Sequence, residues 1–163
     1  MREILKIYTI NNKQEEKFLR KISKEVNKKD INSPEFQSFL DDFLFTAEKV
    51  VTEEGYSAAG LAAIQVGEDK NVFCILREDS KEFELMINPV IKTIKKEQAV
   101  GLEGCLSVPK TEGKVLRYKK IKVKYQDRNG KVVKGIFSNQ EAREIQHEYD
   151  HTKGVLFIDK LVD

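Results

Sequence analysis

No run in this sequence approaches the ~18 consecutive apolar residues that a membrane-spanning helix needs, so no membrane span is expected. The first residues, Met1-Arg2-Glu3-Ile4-Leu5-Lys6, hold no long apolar stretch. That argues against a secretory leader and for a cytoplasmic protein. Cysteine is scarce: Cys74 and Cys105 are the only two. They form no disulfide framework, which agrees with a reducing compartment. Lys and Arg number 29 against 27 Asp and Glu. So small a basic excess does not call for a phosphate-rich partner, and no direct nucleic-acid binding is expected. Internal repeats and low-complexity linkers are also missing.

What is present is ordinary for a globular chain: 163 residues, 40% apolar and 34% charged. That is enough for one domain, 1–163, with a real core. Phe18, Leu19, Ile22 and Val26 recur at helical spacing and predict an amphipathic helix over 13–29. Ser33-Pro34 predicts an N-cap and first helical position, followed by an apolar stripe from Phe36 to Val51 that Gly55 ends. The period then changes. Val72 to Leu76 and Phe83 to Ile87 read as buried strands, the second stopped by Asn88-Pro89, and Val90 to Ile94 alternates. Residues 121–137 read as a hairpin turning at Asn129-Gly130. Ser138 and Glu141 have capping-box spacing for a last helix ending at Gly154, with Val155 to Ile158 as an apolar tail. The expected class is α+β: antiparallel strands packed around a C-terminal metal-binding helix, with helices at the N-terminus.

Both histidines fall in one pentad, His147-Glu148-Tyr149-Asp150-His151. On a helix, residues i and i+4 share a face roughly 6 Å apart, so two imidazoles can grip one metal ion. Glu148 between them can act on water at that ion. A catalytic site of this kind takes a third protein ligand and leaves one position open. Cys105 is a candidate, in the segment Glu103-Gly104-Cys105-Leu106-Ser107-Val108-Pro109. A lone cysteine is more often a small core residue. Cys74 reads that way, in a buried strand, whereas Cys105 is flanked by glycine. A third segment, Ala58 to Gly67, is rich in small residues that allow close backbone approach, and Gln65 offers an amide donor.

Together the three segments resemble the peptide deformylase family, which carries Gly-x-Gly-x-Ala-Ala-x-Gln, Glu-Gly-Cys-Leu-Ser and Gln-His-Glu-x-Asp-His in that order. Here they stand at 58–65, 103–107 and 146–151. The resemblance implies a hydrolase that removes the formyl group from the initiator methionine of new polypeptides and releases formate. It implies Cys105, His147 and His151 as ligands of one divalent ion, usually Fe²⁺, with Zn²⁺, Ni²⁺ or Co²⁺ able to replace it. Glu148 is the implied general base and acid, with Gln65 and the backbone N–H of Leu106 as oxyanion donors. The implied partner is an N-formyl-methionyl peptide or nascent chain, with a transient ribosome contact. The main chain of Gly60, Gly101 and Gly104 would hold an extended peptide. Its methionine side chain would lie near Ala59, Arg143 and His147.

Two supporting contacts are also expected: Glu103 accepting a hydrogen bond from a ligand histidine, and Arg117 pairing with Asp150. The chain departs from the family at Ala58 (usually glycine), at Thr152 (commonly leucine), and at Glu112, where some relatives carry a substrate-facing arginine. The Pro-Asp-Pro-x-Leu-Arg signature near the start is missing. The alternative expectation is a diverged metal-dependent amidase or peptidase of the same fold with another substrate.

Overall fold

The computed structural model describes residues 1–163. Its central feature is a five-stranded antiparallel sheet in the order β1-β2-β3-β6-β7. The strands are Gly60–Ala62 (β1), Val72–Leu76 (β2), Phe83–Thr93 (β3), Lys120–Gln126 (β6) and Val132–Ser138 (β7). A second sheet, ordered β4-β5-β8, is built from Gln98–Cys105, Val108–Tyr118 and Leu161–Val162. The helices are α1 (Lys13–Leu19), α2 (Pro34–Lys49) and α3 (Asn139–Thr152).

The larger sheet is buried on both faces at β2, so that strand is a continuous apolar run, Val72-Phe73-Cys74-Ile75-Leu76, rather than an alternating one. Phe73 and Ile75 join Ala62, Met86, Ile121 and Val123 against Ala142 and Ile145 of α3. Val72 and Cys74 point the other way, to Leu40, Phe43 and Ala47 of α2. Cys74 is fully buried there, as a core residue. A smaller cluster of Val108, Val115, Leu156 and Phe157 lies under the second sheet, so the tail after α3 is packed inside.

Several boundaries differ from those expected. The first helix stops at Leu19 instead of continuing to 29. Beyond it the backbone donors are taken from afar: Ser23 N–H by the Thr152 carbonyl, Lys24 N–H by Asp69 and Val26 N–H by Asn88. Ile22 is exposed, so the helical stripe is not real. The second helix has the expected cap, Ser33 Oγ accepting from Phe36 N–H at 3.2 Å. It ends at Lys49, because Val51 bridges Ser57 around a turn with Gly55 at φ +89°.

Asn88-Pro89 does not stop β3. The strand runs through with a register shift between Ile87 and Val90, a bulge that accommodates the missing proline donor. The β6–β7 loop is longer than a two-residue Asn-Gly turn: Asp127 N–H binds the Lys131 carbonyl, with Gly130 at φ +84°. No capping box forms at α3. Ser138 makes no cap bond, and Glu141 instead accepts from Arg77 Nε and Glu78 N–H. The β4–β5 hairpin, turning at Leu106-Ser107, is absent from the sequence reading, because its glycines and charges hide the alternation.

Candidate metal centre and cleft

His147 and His151 lie one turn apart on the buried side of α3, their rings edge to face with centroids 5.1 Å apart. The β4–β5 turn delivers Cys105 from the other sheet, its Sγ 3.3 Å from His151 Nε2. One donor atom from each of the three residues lies within 4.8 Å of the other two. Tetrahedral bonds of about 2.3 Å to sulfur and 2.05 Å to nitrogen would separate such atoms by about 3.6 Å. A thiolate and two imidazoles gathered at this spacing fit one divalent ion.

The second expected contact shell is present. His147 Nδ1 lies 2.8 Å from Glu103 Oε1, which leaves Nε2 for the metal side. Glu103 also receives Arg117 Nε and Nη2, both at 2.9 Å, and Arg143 Nη1 at 2.8 Å. Arg117 Nη1 reaches Asp150 at 2.6 Å. Burial opposes the charge on Glu103, yet the bonds from Arg117 and His147 hold it well below the usual carboxylate range. Burial also opposes a charge on His147, but Cys105 and Glu103 outweigh it and keep that imidazole well above its ordinary value. His151 goes the other way: burial, then the charges of His147 and Arg117, push it well below. Its surroundings therefore favour the neutral imidazole.

A cleft of ≈ 950 Å³ opens onto Cys105 and His147 of this group, and Ala58-Ala59-Gly60 and Gly104-Cys105-Leu106 border it. Glu148 faces it. The residue is 3% exposed, and its Oε2 has no hydrogen-bond partner. Burial, with Glu144 and Glu103 nearby, pushes its carboxyl up to about 8, against the opposing charge of His147. Gly60 packs so closely that a Cβ there would lie 3.0 Å from Glu148 Cγ and 3.1 Å from the Cys74 carbonyl. Gln65 is also buried and oriented: Oε1 accepts from Ala62 N–H at 2.9 Å. Its amide nitrogen therefore points to Ser107 Oγ at 3.0 Å and Cys105 Sγ at 3.6 Å.

Of the residues expected to hold substrate, Ala59, Gly60 and Gly104 border the cleft, as does Leu106, the expected oxyanion donor, and Gly101 and Arg143 do not. Arg143 is turned away and held by Glu103, the Val115 carbonyl and the Ala99 carbonyl. It fills the space over Gly101, where a Cβ would come within 2.6 Å of its guanidinium carbon. A buried carboxylate that already receives Arg117 draws this second cation inward, which sequence spacing does not reveal. Ser107, which fixes Gln65, was legible only as the last residue of its motif. Ala58 is not in the left-handed region, so the missing glycine causes no backbone strain.

A thiol and two imidazoles converging beside an unpartnered buried carboxylate, in a cleft the size of a short peptide, define a metal-dependent amide hydrolase. The polypeptide deformylase family profile matches residues 4–163. A peptide deformylase of Fusobacterium nucleatum is 39% identical over 155 residues, covering 95% of this chain and 84% of that one. The crystal structure of the Thermotoga maritima peptide deformylase superposes with a TM-score of 0.84 at 32% identity, covering 99% of each chain. An Acinetobacter baumannii class I type b peptide deformylase with Met-Ala-Ser bound gives 0.85 at 31% identity, covering 99% of this chain and 100% of that one. This chain belongs to the peptide deformylase family. No helix in it is long and apolar enough to cross a membrane.

Proposed function

We propose that this chain removes the N-formyl group from the initiator methionine of newly made polypeptides in the cytoplasm, with residues 1–163 as one functional unit. The observation that carries this reading is the convergence of Cys105, His147 and His151 at a cleft that Glu148 and Gln65 also line. Cys105, His147 and His151 hold a single ion, Fe²⁺ in this proposal, with Zn²⁺, Ni²⁺ or Co²⁺ as replacements. Such an ion supplies Lewis acidity and makes a water more acidic.

The chain's own residues do the rest. The edges of β1 and β4 are free, so an extended peptide can lie between Ala58–Gly60 and Gly104–Leu106 as an added strand. Glu148 takes a proton from the attacking water. A nearby dication favours its ionised form, against the burial that raises its pKa. Negative charge growing on the formyl oxygen meets the Gln65 amide and the Leu106 N–H. Removing one such donor typically costs about 10²-fold or more in rate. Glu148 then returns its proton to the departing nitrogen, giving formate and a free amine. A transient contact with the ribosome, where nascent chains emerge, is part of this proposal.

Formate release from formyl-Met-Ala-Ser by protein loaded with Fe²⁺ without oxygen tests the reaction; negligible release, with the ion bound, overturns it. The ligand set has its own test. Cys105→Ala is expected to lose both the ion and turnover, and a normal metal content by elemental analysis would remove Cys105 from the set.

A further inference from the structure

Residues 1–10 form no helix or strand, and a chain end of that kind usually frays unless it is tied down. Here it is tied through five backbone N–H groups. Glu3 donates to Asp42 and Leu5 to Thr46 Oγ1, both on α2. Thr9 donates to Glu15 Oε1 on α1. The other two reach inward. Tyr8 N–H binds the Gln65 carbonyl at 2.7 Å, and Ile10 N–H binds the Ser107 carbonyl at 3.0 Å.

Those two carbonyls belong to the segments that supply both oxyanion donors of the proposed reaction. Gln65 lies in the short 3-10 turn Ala63–Val66 that follows β1 of the larger sheet. Ser107 follows Leu106 in the β4–β5 turn of the smaller sheet. Tyr8 and Ile10 are two residues apart, so their spacing cannot exceed about 7 Å. A strap of that length ties the Gln65 backbone to the turn that carries Leu106 and Cys105. A single 3-10 turn has weak internal hydrogen bonds, and its carbonyls need outside donors. Those of Ala63 and Ile64 are taken by Glu68 and Gly67 N–H, and that of Gln65 by Tyr8. The Tyr8 ring secures the last bond. It meets Phe18 edge-on at 5.5 Å and covers Gly67, where a Cβ would lie 2.6 Å from the Tyr8 hydroxyl oxygen.

We propose that Tyr8 and Ile10 are positioning residues for the oxyanion site, setting the separation between the Gln65 amide and the Leu106 N–H. The inference rests on the deformylase reading above and adds residues to it. Neither Tyr8 nor Ile10 borders the cleft; each acts through a main-chain carbonyl. A donor moved by about 1 Å can cost about 10²-fold in rate, so a loosened strap shows in turnover before it shows in binding.

The test uses the full chain loaded with Fe²⁺, formyl-Met-Ala-Ser, and the variants Tyr8→Ala, Tyr8→Phe and Gln65→Ala. Tyr8→Ala is expected to lower kcat about tenfold, with KM within about twofold and metal content unchanged, since the donor is displaced rather than lost. Tyr8→Phe keeps the ring and is expected to restore the parental kcat. Gln65→Ala is expected to cost about 10²-fold. Adding Tyr8→Ala to it is expected to cost less than about twofold more, because residues that act through one another are not additive. An equal loss in both backgrounds overturns the inference, since general loosening of the fold would be additive. So does a parental kcat in Tyr8→Ala, or a loss confined to KM or metal content. Should Tyr8→Ala not fold, Glu15→Ala, which frees Thr9 N–H from the first turn of α1, takes its place and is held to the same outcomes. No formate from the parent overturns the underlying reaction instead.

Discussion

Glu148→Gln is expected to retain the metal ion and to release formate about 10²–10⁴-fold more slowly than the parent, the range of a positioned general acid–base. The substitution keeps the shape of the side chain and removes its ability to take and return a proton. Glu148 is not among the converging donors, and its Oε1 is 3.9 Å from His147 Nε2, so metal content should not change. A second readout separates proton transfer from simple misfolding. The folded carboxyl of Glu148, pushed up to about 8, lies well above the unfolded value of about 4.3. The folded state therefore binds the proton more tightly than the unfolded one. Below about pH 4 this group costs no stability; the cost grows as pH rises and is complete above about pH 8. Metal-free Glu148→Gln should thus lose less stability than the metal-free parent between about pH 5 and 8, by up to a few kcal/mol. Thermal unfolding of both proteins in chelator across that range measures it. Parallel pH curves would mean that Glu148 is solvated and ordinary, and would remove the physical basis for its role as a base.

The parts of the molecule legible in sequence are those governed by local rules. Val72–Leu76 reads correctly because a strand buried on both faces is a plain apolar run. Ser33-Pro34 reads correctly because a cap and its proline are chemically specific. The histidine pentad is legible because the helix itself sets the spacing of its rings. Three of the failures share one cause, a distant partner overriding a local preference. Thr152, Asp69 and Asn88 take the donors that would have extended α1. Arg77 takes the carboxylate that would have closed the capping box. Arg143, sought beside the substrate, is held by Glu103 across the interface of α3 and β4. The walls of the cleft combine residues from the loop after α2, from the β4–β5 hairpin and from α3, so only folding assembles them.

Glu103→Ala is expected to be among the most damaging single changes in the chain, although Glu103 touches neither the substrate cleft nor the metal position. Its carboxylate is the meeting point of Arg117, Arg143 and His147. The side chains of Arg117 and Arg143 are 3% and 9% exposed. Arg117 keeps Asp150 when Glu103 is removed, but Arg143 keeps only carbonyl oxygens. Breaking a buried pair from one side typically costs about 3–5 kcal/mol, because the remaining charge is left uncompensated. His147 simultaneously loses the acceptor that fixes its tautomer, which typically costs about 10–100-fold in metal affinity. Arg117→Ala should be milder in both respects, since Glu103 would still hold Arg143 and His147. Chelator competition and calorimetric unfolding, run on both variants, test the order. Parental metal affinity in Glu103→Ala would mean that the helix alone orients His147, and that the buried ion network serves stability without serving the metal.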